Sequence, residues 1–170
     1  HRHTASFAPA RTWGNIVQIA TEHKIRPSRI QVGHAHTAHG SDWSTPVQSK
    51  NARRYDRVWK HAVLQEPHIW PSWEILAQFQ GRRCLEIGAG NYPKIPLDGG
   101  VFLDLSEVAA SNLNARGLNA CVGAADCLPL AASCFDLVVA WEVLEHIEDH
   151  QRTVSEVARV LSGGGAFLLS

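Results

Sequence analysis

The sequence predicts an α/β fold: a doubly wound, mostly parallel sheet of five strands with helices on both faces. Three observations carry that expectation. From Cys84 onward, short runs that are apolar at consecutive positions alternate with stretches of helical spacing, the pattern of strands buried on both faces and joined by right-handed crossovers. The first run, Cys84-Leu85-Glu86-Ile87, stops at Gly88-Ala89-Gly90, where the backbone can turn tightly and approach a ligand with no side chain in the way. Asp104 ends the second run and Asp126 follows the third, so acids recur on the edge where the glycine loop lies.

Taken in order, residues 1–48 show no sustained period and are rich in His, Thr, Ser, Pro and Gly, which predicts a poorly ordered segment. A short helix from Trp13 to His23, ending before Arg26-Pro27, is the element its spacing suggests. The domain is expected over 49–170, with helices in 49–80 and the sheet in 82–170. Tyr55, Val58, Trp59, Ala62 and Val63 fall at helical spacing with Arg53, Arg54, Arg57 and Lys60 on the remaining arc, predicting a helix from about Ser49 to Gln65 that Pro67 closes. Ser72 is the expected N-cap of a second helix, with Trp73, Leu76 and Phe79 inward and Gly81 as its stop. The tryptophans read as packing residues.

Val101-Phe102-Leu103-Asp104 is the second strand, and Ser106 caps a helix to Arg116 with Val108, Ala109 and Leu113 inward and Gly117 after it. Ala120 to Gly123 is the third strand and Phe135 to Ala140 the fourth. Trp141 to Ile147 forms a short helical turn, and Asp149 to Leu161 a helix with Val154, Val157, Ala158 and Leu161 inward. Gly163-Gly164-Gly165 then returns the chain to a fifth strand, Ala166 to Ser170. This is a Rossmann-like order, whose ligands bind beyond the carboxyl ends of the strands at the switch point.

Composition narrows the partners. Lysine plus arginine equal aspartate plus glutamate at 16 each, so charge argues for neither nucleic acid nor an anionic membrane. With no apolar run of spanning length and no signal peptide pattern, a cytoplasmic protein is expected. Cys84, Cys121, Cys127 and Cys134 lack CxxC spacing and read as reduced and structural. His34, His36 and His39 are spaced as metal ligands can be, but with no clustered Asp, Glu or Cys they read as a histidine-rich linker, and no metal site is expected. The chain begins at His1, contains no methionine and stops directly after an apolar run, as a piece of a longer protein would. Oligomeric state is left open.

The acids point to a ligand. Asp104 can accept hydrogen bonds from both hydroxyls of a ribose, or act as the N-terminal acid of the helix that follows. Asp126 can accept from the exocyclic amine of adenine, with Leu128 and the Cys127 backbone flanking the ring, or serve as a loop cap. A dinucleotide loop would carry a third glycine three residues after Gly90, where Pro93 stands. Ten residues separate Gly90 from Val101, too few for a helix and its turns, so an adenosine ligand without phosphates is the better fit.

Leu85-Glu86-Ile87-Gly88-Ala89-Gly90, Phe102-Leu103-Asp104-Leu105-Ser106, Ala125-Asp126-Cys127-Leu128-Pro129-Leu130, Phe135-Asp136-Leu137-Val138, Glu142-Val143-Leu144-Glu145-His146 and Arg159-Val160-Leu161-Ser162-Gly163-Gly164-Gly165 follow one another in this order. The series resembles the successive motifs of class I S-adenosylmethionine-dependent methyltransferases, in the ubiquinone-biosynthesis-like, type 11 branch. The resemblance implies S-adenosyl-L-methionine as cofactor and methyl transfer to a small-molecule acceptor. It implies that Glu86, Gly88, Ala89 and Gly90 line the methionine half, and that Asp104 with Leu105 holds the ribose. Asp126, Cys127 and Leu128 bracket the adenine, and the segment Trp141-Glu142-Val143 closes the pocket beside the sulfonium. No catalytic residue is assigned; His146 is the candidate general base, against the alternative that it orders the short helix. Two departures stand out: Tyr92 where the family often has a third glycine, and the lack of the antiparallel pair that usually follows the fifth strand, which predicts an unprotected edge. Two further readings are a non-catalytic adenosine-ligand-binding domain and a nicotinamide-dependent oxidoreductase, the second disfavoured by the missing glycine and the short crossover.

Overall fold

A computed structural model of the chain describes residues 17–20 and 46–170. The strands are β1 (Val17–Ala20), β2 (Cys84–Ile87), β3 (Gly100–Asp104), β4 (Asn119–Val122), β5 (Phe135–Ala140) and β6 (Leu161–Leu169). The helices are α1 (Pro46–Trp59), α2 (Trp73–Leu76), α3 (Glu107–Ala115) and α4 (His150–Val160). They build one sheet in the order β1-β6-β5-β2-β3-β4. β2 to β6 are mutually parallel, the five strands expected, and β1 joins antiparallel to β6. The order reverses at β2, which pairs with β3 on one side and β5 on the other.

Strand sequences that are apolar at every position are buried at every position, and the pleat sorts them onto two faces. Leu85, Ile87, Val101, Leu103, Val138 and Phe167 form one core with Val157 and Val160 of α4. Cys84, Phe102, Leu137, Val139 and Leu168 form the other, with Leu113 of α3 and Leu76 of α2. Burial pushes the Cys84 thiol up to about 12, so it behaves as a small apolar group.

Several expectations need correction. The N-terminal segment supplies strand β1 at 17–20, where a helix over Trp13 to His23 was predicted; its pairing from Val17 opposite Leu169 to Ala20 opposite Ala166 covers the edge expected to be bare. Backbone pairing to an open strand edge overrides a short local period. The rest of residues 1–45, including His34, His36 and His39, lies outside the described residues.

Helix α1 stops at Trp59, not near Gln65, and side chains from elsewhere meet the carbonyls at and just beyond its end. Asn91 Nδ2 donates to the carbonyls of Trp59 (3.2 Å) and Ala62 (2.7 Å), and Asn112 Nδ2 donates to that of Trp59 (3.4 Å). Val58, at 51% exposure, and Val63 face outward. Ser72 is no cap: its backbone is already helical and its side chain caps nothing. Ser106 caps α3 as expected, accepting from Ala109 N–H at 3.1 Å, and Gly117 follows with φ +79°.

In α4 the buried residues are Thr153, Val157 and Val160, whereas Val154 is 45% exposed and Ala158 is exposed too. A helix presents one stripe, and Thr153 with its neighbours at i+4 and i+7 takes it. β6 begins at Leu161, so the glycine triplet lies inside the strand rather than before it. Phe135 pairs with Leu161 and Leu137 with Ala166, so residues 162–165 bulge out of register.

The sheet's amino end is tied by a charge cluster. Asp136 Oδ2 accepts from Arg83 N–H (3.1 Å) and Nε (3.3 Å), while Oδ1 accepts from Arg83 Nη2 (2.8 Å) and Ser162 Oγ (3.1 Å). Burial works against the charge, but the Arg83 guanidinium and backbone N–H and the Ser162 hydroxyl outweigh it and hold the Asp136 carboxyl below its ordinary value. A folded value below the unfolded one stabilises the native state above the unfolded value, about 3.9, and that contribution is lost as pH falls through the lower folded value. Asp136→Ala is expected to lower stability by about 2 kcal/mol at neutral pH, the figure for a partly exposed charge-assisted cluster. The loss in urea unfolding should shrink as pH drops below about 4; a loss unchanged down to pH 2 would refute the assignment.

Candidate functional site

The carboxyl ends of β2 to β5 surround a cavity of about 230 Å³. Ile87, Gly88 and Ala89 reach it from the end of β2, Leu103, Asp104 and Leu105 from β3, and Gly123 and Ala125 from beyond β4. Trp141, Glu142 and Val143 follow β5, with His146 and Ile147 behind them. Asn51, Tyr55 and Trp59 of α1 supply one face of the lining, and Tyr92 and Lys94 complete it. Three residues of α1 spaced by four share one helix face, so this helix covers the cavity with that face.

Asp104 is 7% exposed. Its Oδ2 accepts from Gly90 N–H and its Oδ1 from Ser106 N–H, both at 2.8 Å. Burial raises its pKa; the backbone N–H groups of Ser106, Gly90 and Leu105 pull the other way and the nearby Asp56 adds to the rise. A carboxylate has about four acceptor positions, so it retains capacity for a ligand at the cavity wall. Ser106 extends the network to the covering helix, donating from Oγ to Asp56 Oδ1 at 2.6 Å, which also accepts from Val108 N–H at 3.2 Å. Helix α1 is therefore fastened at Asp56 to the start of α3 and at its end to Asn91 and Asn112.

Glu86 is 1% exposed and is not among the residues lining the cavity. Its Oε2 accepts from the N–H groups of Lys94 (2.8 Å) and Ile95 (3.1 Å), folding the short crossover back onto β2 in place of a helix. Burial raises its pKa, against the pull of Lys94 and these two N–H groups. Gly88 and Gly90 have φ of +73° and +54°. A Cβ at Gly88 would lie 2.4 Å from Val143 Cγ2, and one at Gly90 2.3 Å from Trp59 Cζ2, so the bare backbone lets both residues close on the loop. Val143 is aimed there by Glu142, a non-glycine residue at φ +54° whose N–H donates to Ser170 Oγ at 3.2 Å. Left-handed backbone at such a residue costs about 1–2 kcal/mol.

Of the residues singled out from sequence, Gly88, Ala89, Asp104, Leu105 and Trp141 border the cavity, as does His146. His146 Nε2 lies 3.8 Å from Glu145 Oε1 and its ring centroid 6.1 Å from that of Tyr55. Glu86 and Gly90 stand behind the lining, and Asp126, Cys127 and Leu128 are outside it, their loop reaching the cavity through Ala125. The Leu128 side chain is in the core, and Glu156 and Arg159 of α4 clasp that loop through Leu128 N–H and the carbonyls of Leu128 and Leu130. Sequence reasoning missed Asn51, Tyr55, Trp59, Tyr92 and Lys94. The period over Tyr55 and Trp59 was visible, but a period does not tell a core from a cavity.

A family model for the methyltransferase domain matches residues 85–169, half of the chain. The chain belongs to the methyltransferase domain family. Of its relatives, a probable S-adenosylmethionine-dependent methyltransferase of Mycolicibacterium smegmatis is 36% identical over 120 residues, covering 63% of this chain and 47% of that protein. This methyltransferase domain thus spans about half the length of that curated relative. Among solved structures, the geranyl diphosphate C-methyltransferase of Streptomyces coelicolor A3(2) superposes with a TM-score of 0.56 at 18% identity, over 74% of this chain and 64% of that one. The [4+2]-cyclase SpnF does so with 0.51 at 18% identity, over 72% and 59%. At these identities the likeness is one of fold, and the cyclase illustrates that the fold leaves the reaction open.

The hold on α1 is open to test. Asn91→Ala removes two hydrogen bonds, to Trp59 at the helix end and to Ala62 just beyond it, leaving that from Asn112, and each buried hydrogen bond is worth about 1 kcal/mol. Amide exchange in α1 should accelerate roughly ten-fold or more while β2, β3 and β5 keep their protection; equal acceleration in the strands would show that Asn91 supports the whole domain instead.

Proposed function

We propose that the chain is the cofactor-binding core of an S-adenosylmethionine-dependent methyltransferase acting on a small-molecule acceptor. The observation that carries this reading is Asp104: a buried carboxylate at the cavity wall, at the end of the strand beside the glycine loop, in a chain of the methyltransferase family. The residues fit the cofactor. Asp104 suits the ribose hydroxyls, and the backbone at Gly88 and Ala89 suits close approach of the methionine portion. Ala125 and Leu105 offer small and apolar contacts to the adenine, and Trp141 to Val143 wall the cavity beyond β5.

S-Adenosylmethionine supplies a methyl group on a good leaving group, a sulfonium, ready for in-line displacement. What the protein contributes is alignment of the acceptor and exclusion of water. Helix α1 excludes water, closing over the loop through Trp59 and Tyr55. Burial raises the Tyr55 phenol, with Asp104 and Glu145 adding to the rise against the pull of Arg54, so it stays protonated at neutral pH and is able to donate a hydrogen bond to a bound ligand. His146 lies beside it and is the residue that can take a proton from an acceptor hydroxyl.

Calorimetric titration tests the reading. S-Adenosylmethionine and S-adenosylhomocysteine are expected to bind and NAD not to; binding of NAD alone would overturn it. Asp104→Ala is expected to weaken S-adenosylhomocysteine about 30-fold or more, the loss of a charge-assisted hydrogen-bonding site. Binding without methyl transfer to any of a panel of hydroxyl, amine and carbon acceptors would favour a non-catalytic binding domain.

A further inference from the structure

We propose that the outward face of α1 docks on an anionic membrane surface, so that the helix covering the cavity with one face meets lipid headgroups with the other. The inference is independent of the cofactor reading. Five of the chain's 16 lysines and arginines, Lys50, Arg53, Arg54, Arg57 and Lys60, fall within residues 50–60 against one acid, Asp56. The even charge balance of the whole chain conceals this local excess.

Helix geometry sorts the excess onto one side. Lys60 prolongs α1, its N–H donating to the Asp56 carbonyl at 3.0 Å. At about 3.6 residues per turn, all five cations lie within an arc of about 120°, opposite the face of Asn51, Tyr55 and Trp59 that lines the cavity. All five are exposed, and none pairs with an acid among the described residues, whereas Arg83, Arg116 and Arg159 each have a carboxylate partner. Asp56 does not neutralise the arc, because its Oδ1 is turned to the start of α3, accepting from Ser106 Oγ and Val108 N–H. Like charges three and four positions apart repel, a cost that an anionic surface against the arc removes.

The apolar residues nearby fit lipid better than another polyanion. Four large apolar side chains stand exposed among the described residues, and three of them, Val58 (51%), Val63 (79%) and Ile69 (53%), lie on α1 or in the segment that follows it. Val58 borders the cationic arc. Aliphatic groups gain nothing against the phosphates of a nucleic acid, and the aromatic rings of the helix, Tyr55 and Trp59, line the cavity, so this face offers no platform for stacking bases. At a bilayer surface the valines enter the boundary between headgroups and acyl chains while the arginines meet the phosphates.

Vesicle flotation decides the matter, with vesicles of phosphatidylcholine alone and of phosphatidylcholine carrying about one third phosphatidylglycerol. The wild-type chain is expected to bind the anionic vesicles about 100-fold or more tightly than the neutral ones, and to lose that preference as salt rises from about 0.05 to 0.5 M. Arg53→Gln with Arg57→Gln is expected to weaken this binding about ten-fold or more, whereas Arg82→Gln with Arg152→Gln, which removes as much charge from exposed positions before β2 and on α4, changes it by less than about two-fold. Val58→Ser with Val63→Ser is expected to weaken it about five-fold. A wild-type chain that floats equally with both vesicles overturns the proposal whether or not the variants fold. Equal loss in the two arginine pairs overturns the role of α1. Binding to polyglutamate or to a mixed-sequence DNA duplex tighter than to the anionic vesicles assigns the cations to an acidic protein or a nucleic acid, and overturns the lipid reading.

Discussion

Asp104 joins the two loops on which the cavity depends. A carboxylate buried at the end of a central strand is costly unless N–H groups meet it, and Gly90 from the loop after β2 and Ser106 from the turn before α3 both do. Those bonds set the distance between two otherwise independent connections. Ser106 passes the constraint to Asp56, and with it to the helix that covers the site. Loss of the acid would therefore disturb wall and cover together.

Glu86 is the complementary constraint. With ten residues between Gly90 and Val101 there is no room for a crossover helix, so the segment has to be held by something other than its own backbone ladder. A fully buried carboxylate accepting from Lys94 and Ile95 does this. Burial raises its pKa, which makes the charged state expensive, and the nearby Lys94 ammonium offsets part of that cost. Across the cavity, the left-handed backbone of Glu142 brings Val143 against Gly88. Strain of this kind, found where strands end and the cavity begins, is tolerated because the sheet beneath is rigid.

The parallel core was legible because residues of β2, β3 and β5 are apolar at consecutive positions, which happens when both faces are covered. Gly88, Ala89, Asp104 and Trp141 were legible as residues at the cavity's edge because their places follow from where strands end. Errors arose where a long-range contact decided the outcome. The end of α1 is set by Asn91, 32 positions after Trp59, and β1 is set by the free edge of β6, about 150 positions later. The inward stripe of α4 was misjudged because Thr153 and Val154 are both compatible with burial, and the choice belongs to the sheet face on which the helix lies.

Sequence by itself determined the order of elements from β2 onward, the doubly wound class and the edge on which the cavity lies, since apolar runs, glycines and strand-end acids are local signals. Tertiary structure decided which side chains enclose the cavity. Tyr55 and Trp59 became a cover, Lys94 a cavity cation, and Glu86 and Gly90 supports behind the lining. Asp126 and Leu128 lie outside the cavity's lining, with Leu128 held to α4 by Glu156 and Arg159. The physical reason is that strand pairing is read from periodic burial along the chain, whereas a cavity is made by side chains from distant segments whose meeting depends on hydrogen bonds no local pattern encodes.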